Sequence, residues 1–136
     1  MIKPCALLLL LATQTAQAVD GSWDGEGANL VISQRGIAKA SPVMRAKGNT
    51  PPGHVITSVY WRYKLQTTPP RGLQVALCSA GLCVPLEGGS GSTRALQGVD
   101  AGNPLYLLYH LPGKGPIKPP VRVLTYQLLV NYSQRQ

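Results

Sequence analysis

Proline and glycine interrupt this chain so often that no long helix fits between them. Fifteen glycines and twelve prolines are scattered over 136 residues. Proline removes the backbone donor that a helix interior or a central strand needs, and glycine adopts turn conformations freely. The densest breaks are Pro51-Pro52-Gly53, Thr67-Thr68-Pro69-Pro70, Gly88-Gly89-Ser90-Gly91-Ser92 and Pro112-Gly113-Lys114-Gly115-Pro116. Between them remain short extended runs at 28–34, 54–66, 72–78, 82–87, 104–111 and 121–132.

Two of these runs alternate with the period of a half-buried strand. In 54–66, Val55, Thr57, Val59, Trp61, Tyr63 and Leu65 share the side expected to be buried, and His54, Ile56, Ser58, Tyr60, Arg62 and Lys64 share the other. In 121–132, Leu124, Tyr126, Leu128, Val130 and Tyr132 fall on one face, with Val123, Thr125, Gln127, Leu129 and Asn131 on the opposite one. Short strands separated by turn-forming residues predict an all-β fold, a single antiparallel β-sandwich. Residues 41–50 are polar and without pattern, and read as a mobile loop.

Cys78 and Cys83 flank Ser79-Ala80-Gly81-Leu82 between two of the apolar runs. A hairpin there would bring the two thiols to bridging distance, and such a pair oxidises in an exported protein. The N-terminus reads as an export signal. Met1-Ile2-Lys3-Pro4 is a short basic start, 6–12 is an apolar run, and Ala16-Gln17-Ala18 is a small-x-small cleavage site ahead of Val19. The apolar run falls far short of the roughly 20 residues of a membrane-spanning helix. Residues 1–18 are therefore expected to be removed with Cys5, leaving one soluble domain over 19–136 with a single pair of cysteines. A bridge closing so small a loop is expected to hold hairpin register more than the fold as a whole.

The full chain carries a formal net charge of +8. Lys3 apart, its basic residues are dispersed from Arg35 to Arg135 with no run, and an exported protein rarely meets nucleic acid, so nucleic acid is not the expected partner. An anionic envelope surface or an acidic protein patch suits the charge, as does simple solubility.

Candidate chemistry is sparse. The acids are Asp20, Asp24, Glu26, Glu87 and Asp100, and three of them crowd the mature N-terminus. Glycosidases need two carboxylates at a fixed separation across a bond, and solvated charges are the simpler reading here. His54 and His110 are the only histidines, too few for a zinc site once the cysteines pair with each other. Ser90, His110 and Asp100 could be assembled on paper as a triad, but the strand-to-helix context of a nucleophile elbow is missing. Gly113-Lys114-Gly115 lacks phosphate-loop spacing. Four residues between the cysteines, rather than two at a helix start, point to a structural and not a redox disulfide. No catalytic residue, metal or cofactor is expected.

The strand segments also carry a family resemblance. Gly21-Ser22-Trp23, Trp61-Arg62-Tyr63-Lys64-Leu65 and Pro70-Arg71-Gly72-Leu73-Gln74-Val75-Ala76-Leu77-Cys78 are the first matching features. Cys83-Val84-Pro85-Leu86, Gly88, Ser90-Gly91-Ser92-Thr93 and Val130-Asn131-Tyr132 continue them. Together they make the chain resemble the flagellar protein FlhE family of enteric and related bacteria. The cysteine segment is the specific part. The departures lie in loops, at 112–120 and 133–136. The resemblance implies a periplasmic, non-catalytic β-sandwich encoded beside inner-membrane components of the flagellar export apparatus. It implies a role in limiting proton leak through that apparatus, as a plug or a chaperone-like factor, with flagellar export or basal-body proteins as partners.

For such an accessory protein the candidate contact surface is Tyr60, Arg62 and Lys64, extended by Arg71, because tyrosine and arginine are favoured at interfaces. Trp23 is either exposed for binding or folded down to close the sandwich, and closure is the expectation. The alternative function is a binding module for cell-wall glycan or lipopolysaccharide, which would need exposed aromatics. Exposure of Trp23, Trp61, Tyr106 and Tyr109 separates the two readings. The partner's identity, the choice between plug and chaperone, and monomer or dimer are not written in the sequence.

Overall fold

The computed structural model describes residues 20–135. The expected signal peptide, with Ala18 and Val19 at its cleavage site, lies outside them. Eight strands follow in order: β1 (Gly21–Gln34), β2 (Lys39–Ala40), β3 (His54–Leu65), β4 (Gln74–Ser79), β5 (Leu82–Leu86), β6 (Ser90–Thr93), β7 (Leu105–His110) and β8 (Pro116–Gln134). They form two four-stranded sheets, β1-β8-β3-β6 and β2-β7-β4-β5, and every pairing is antiparallel. The expected all-β sandwich is what the chain forms.

Apolar side chains from both sheets fill the space between them. The first sheet contributes Trp23, Ile32, Ile56, Val59, Trp61, Val123, Leu128 and Val130, and the second Val75, Leu77, Val84, Leu105, Leu107 and Tyr109. Each such side chain contributes about 1.5–3 kcal/mol on leaving water. This single layer is the main source of stability.

Three strands depart from the simple alternation. In β3 the register slips between Ile56 and Ser58, so His54 and Ile56 point inward before the slip and Val59 and Trp61 after it. In β8 a second slip lies opposite Lys64 and Leu65. It turns Leu124 outward and lets both Val123 and Tyr126 face the core. In β1 the inward set changes from Trp23 to Leu30 and Ile32 across Asn29, whose φ is +61°. A bulge inserts one unpaired residue and so inverts the facing of everything beyond it. The faces expected in 54–66 and 121–132 are therefore right on one side of the slip and wrong on the other.

Two expected breaks are strands instead. Ser90–Thr93 pairs with β3, with Gly91 opposite Trp61. The proline-rich 116–120 belongs to β8, where the pairing jumps from Ile32–Val121 to Gln34–Pro116. The prolines sit where the ladder is already interrupted, as their missing donors require.

The 41–50 segment is anchored where a mobile loop is expected. Met44 is buried and exchanges both backbone hydrogen bonds with Leu105, at 2.7 and 3.0 Å. Ser41 Oγ accepts from the Leu107 amide at 2.9 Å. Trp23 is buried as well, and its Nε1 donates to the Ala101 carbonyl at 2.9 Å. It closes one end of the sandwich.

Candidate functional site

The outward face of the first sheet carries both acidic and basic side chains in a fixed arrangement. Because Trp23, Gly25 and Gly27 turn toward the interior, Asp24 and Glu26 on β1 are exposed. On β3, beyond its slip, Tyr60, Arg62 and Lys64 are exposed. β8 runs between them with Thr125, Gln127 and Leu129 outward. The register aligns these residues in rows: Asp24, Leu129, Tyr60 and Ser92; then Glu26, Gln127, Arg62 and Ser90. Acids thus stand in one column and bases in another. Two strand spacings, about 10 Å, separate the columns.

Of the expected contact residues, the fold brings Tyr60, Arg62 and Lys64 together on this face. Arg71 is exposed too, but it lies in the connection between β3 and β4, outside the rows. Tyr60 and Leu129 are the apolar centre of the face, 51% and 40% exposed. The periodicity of β3 identified Tyr60, Arg62 and Lys64. Leu129 and the acidic column needed the strand order, which local patterning does not contain.

The second sheet turns a different surface outward. Ala76, Pro85, Leu108 and Ala38 line a shallow, largely apolar groove, with Gln74 and His110 at one end. His110 Nδ1 lies 3.2 Å from Gln74 Oε1. Cys78 and Cys83 are direct cross-strand partners joined by a disulfide. Cys78 is buried and Cys83 exposed, so the bridge fastens the edge strand β5 to β4.

The residues weighed for catalysis do not converge. Ser90 faces out from the first sheet beside Arg62, and His110 lines the groove outside the second. Asp100 sits in the loop that bridges to Val55, where its Oδ1 accepts from the Gly102 amide at 2.7 Å. A triad cannot form across the thickness of a sandwich. Among the described residues no group of three or more His, Cys, Asp or Glu side chains is placed to hold a metal. His54 is buried, with Nδ1 3.3 Å from the Pro52 carbonyl and its ring edge-on to Tyr132.

The aromatics that would make a sugar platform are mostly inside. Trp23 and Trp61 are each 7% exposed and Tyr109 is fully buried, leaving Tyr106 half-buried. Tyr109 instead heads an internal tyrosine cluster. Its ring meets Tyr63 edge-to-face at 5.5 Å. Burial first, then the neighbouring Tyr63 and Tyr126 phenols, raises its pKa far above the usual value. Its hydroxyl has no hydrogen-bond partner.

Comparison with known proteins places the chain in a family. The family model "Flagellar protein FlhE" matches residues 29–133. The chain is 42% identical over 117 residues to the flagellar protein FlhE of Yersinia enterocolitica, covering 82% of this chain and 81% of that one. It is 39% identical over 127 residues to FlhE of Salmonella typhimurium, covering 93% and 96%. A solved structure described as the crystal structure of FLHE superposes with a TM-score of 0.78 at 36% identity, over 85% of this chain and 98% of that one. The family match over most of the chain, the curated relatives and the superposition agree, and the chain belongs to the flagellar protein FlhE family.

Proposed function

We propose that this protein is a periplasmic, non-catalytic accessory factor of flagellar biogenesis that acts on the flagellar export apparatus and limits proton leak through it. Membership of a flagellar family over 29–133 carries the reading. Among the described residues the weighed Ser90, His110 and Asp100 lie apart, which fits a binding role better than triad chemistry. The outward column of Tyr60, Arg62 and Lys64 is the surface offered to an export or basal-body component. Its aromatic and cationic side chains are of the kinds that dominate interface energies.

The test is cytoplasmic pH in an acidic medium, in cells with and without this gene, repeated in a strain lacking the flagellar export gate. Acidification on deletion only when the gate is present is the expected result. An unchanged pH in every strain would leave the flagellar membership standing and remove the leak-control role. Replacing Arg62 and Lys64 by Glu in an exported, folded protein is expected to abolish complementation, and full complementation would eliminate this surface.

Burial of Trp23, Trp61 and Tyr109 weakens the glycan-binding alternative, because stacking platforms need their rings in solvent.

A further inference from the structure

The outward face of the first sheet is complementary to itself. Acidic Asp24 and Glu26 stand on β1, basic Arg62 and Lys64 on β3, and β8 lies between them with Leu129 exposed. Consider a second copy laid face to face on a two-fold axis running along β8. That rotation carries each β1 over the partner's β3 and keeps the rows level. Glu26 then meets the partner's Arg62, and Arg62 meets the partner's Glu26. Asp24 comes over the partner's Tyr60, and Leu129 comes over the partner's Leu129.

The choice of axis is decided by the charges. A two-fold lying across the strands would return acids onto acids and bases onto bases. The axis along β8 sets the acidic column over the basic one in both halves, as a closed isologous interface requires, with Arg122 of β8 beyond the Lys64 row, outside the paired rows. Like charges brought together at an interface oppose association, so the alternative arrangement is disfavoured. The apolar centre and charged rim also match the usual anatomy of a protein interface, in which a dry core sits inside a polar margin.

We infer that this face is a homodimer interface, with Leu129 and Tyr60 at its centre and Glu26–Arg62 contacts repeated on both sides of the two-fold. The inference does not depend on the flagellar reading. It adds to it a condition: an export component that uses the Tyr60–Arg62–Lys64 column has to displace the second copy first.

Sedimentation velocity on the purified exported protein, from micromolar to millimolar concentration and at low and high salt, tests this. A dimer that loosens as salt rises is expected. Glu26→Arg and Arg62→Glu should each weaken dimerisation on the order of tenfold or more, and the double exchange E26R/R62E should restore it. Leu129→Cys should be joined to its counterpart by a short bis-maleimide, because the two-fold sets that residue opposite itself across the roughly 10 Å that separates packed sheets. This readout stands even if a charge variant fails to fold. A monomer at every concentration in low salt overturns the proposal. So does a dimer indifferent to both charge reversals, or one in which the exchange restores nothing and L129C does not cross-link. These outcomes are read on the isolated protein and are independent of the cytoplasmic pH result.

Discussion

The indole of Trp61 covers Gly91, its cross-strand partner on β6, so closely that a Cβ at position 91 would come within 2.7 Å of Cη2. Two further cross-strand pairs have the same form. Tyr126 covers Gly27 and Tyr132 covers Gly21. Laying an aromatic ring over a glycine of the neighbouring strand protects backbone that has no side chain of its own. It also removes the room for one.

Gly91→Ala is therefore expected to destabilise the fold by about 1–3 kcal/mol, the usual cost of forcing extra volume into a packed site. The displaced indole would strain its Nε1 hydrogen bond to the Gly88 carbonyl, now 3.2 Å. Urea denaturation measures the loss, and tryptophan fluorescence should report the movement. Ser92→Ala, on the exposed face one residue away, should change stability by no more than about 0.5 kcal/mol.

Tyr109→Phe should stabilise the protein by about 1 kcal/mol. The hydroxyl is buried without a partner, and such a group costs its desolvation without return. The ring and its edge-to-face contact with Tyr63 remain. Thermal or urea unfolding of the variant checks the sign, and a loss of stability would mean that the hydroxyl finds a partner in solution.

The same phenol sets an alkaline limit. Its folded pKa is raised above the ordinary 10.0, chiefly by burial. Below that pH both folded and unfolded chains hold the proton, and the stability is fully present. Above it the unfolded chain releases the proton while the folded one keeps it, so stability falls as pH rises. Tyr109→Phe should flatten the fall seen by urea denaturation above pH 10.0 without abolishing it, since burial also raises Tyr63 and Tyr126.

Replacing both Cys78 and Cys83 by Ala should cost about 2 kcal/mol, the loop-closure value for so short a separation. The far-UV spectrum should stay that of an all-β protein, because β4 is also held by β7. Hydrogen exchange should quicken chiefly in β5, whose pairing within the sheet is to β4.

Trp23→Phe keeps the ring in the core but removes the donor to the Ala101 carbonyl. Ala101 is fully buried, so about 1–3 kcal/mol should be lost to the unsatisfied carbonyl. Faster amide exchange in the loop before β7 would localise the effect.

Much of this was legible in the sequence, and what was not has a common cause. Tyr60, Arg62 and Lys64 sit in a stretch of uninterrupted alternation, and the period of two placed them outward as they are. His54 and Ile56 lie before the slip in β3 and face the other way from the alternation that Val59 and Trp61 obey. Leu124 and Val123 exchange faces for the same reason. A bulge is a property of the pairing of two strands, so neither strand's pattern alone announces it. Ser90–Thr93 was hidden because glycine and serine look like a turn until Trp61 is known to lie on top. The acidic column of β1 and its relation to β3 arise from strand order, which is set by contacts between segments far apart in the chain.

The place of β8 has a consequence for how the protein is made. It follows the other seven described strands in the chain, yet it lies between β1 and β3 and, among the described residues, is the strand that joins β1 to its sheet. Until Pro116–Gln134 is available, the first sheet has no centre, and the acidic and basic columns have nothing to hold them in register. Such distant pairings are late and slow to form. A chain in which Pro116–Gln134 is not yet placed therefore keeps β1 and β3 apart, and the first sheet closes in one step when β8 enters between them.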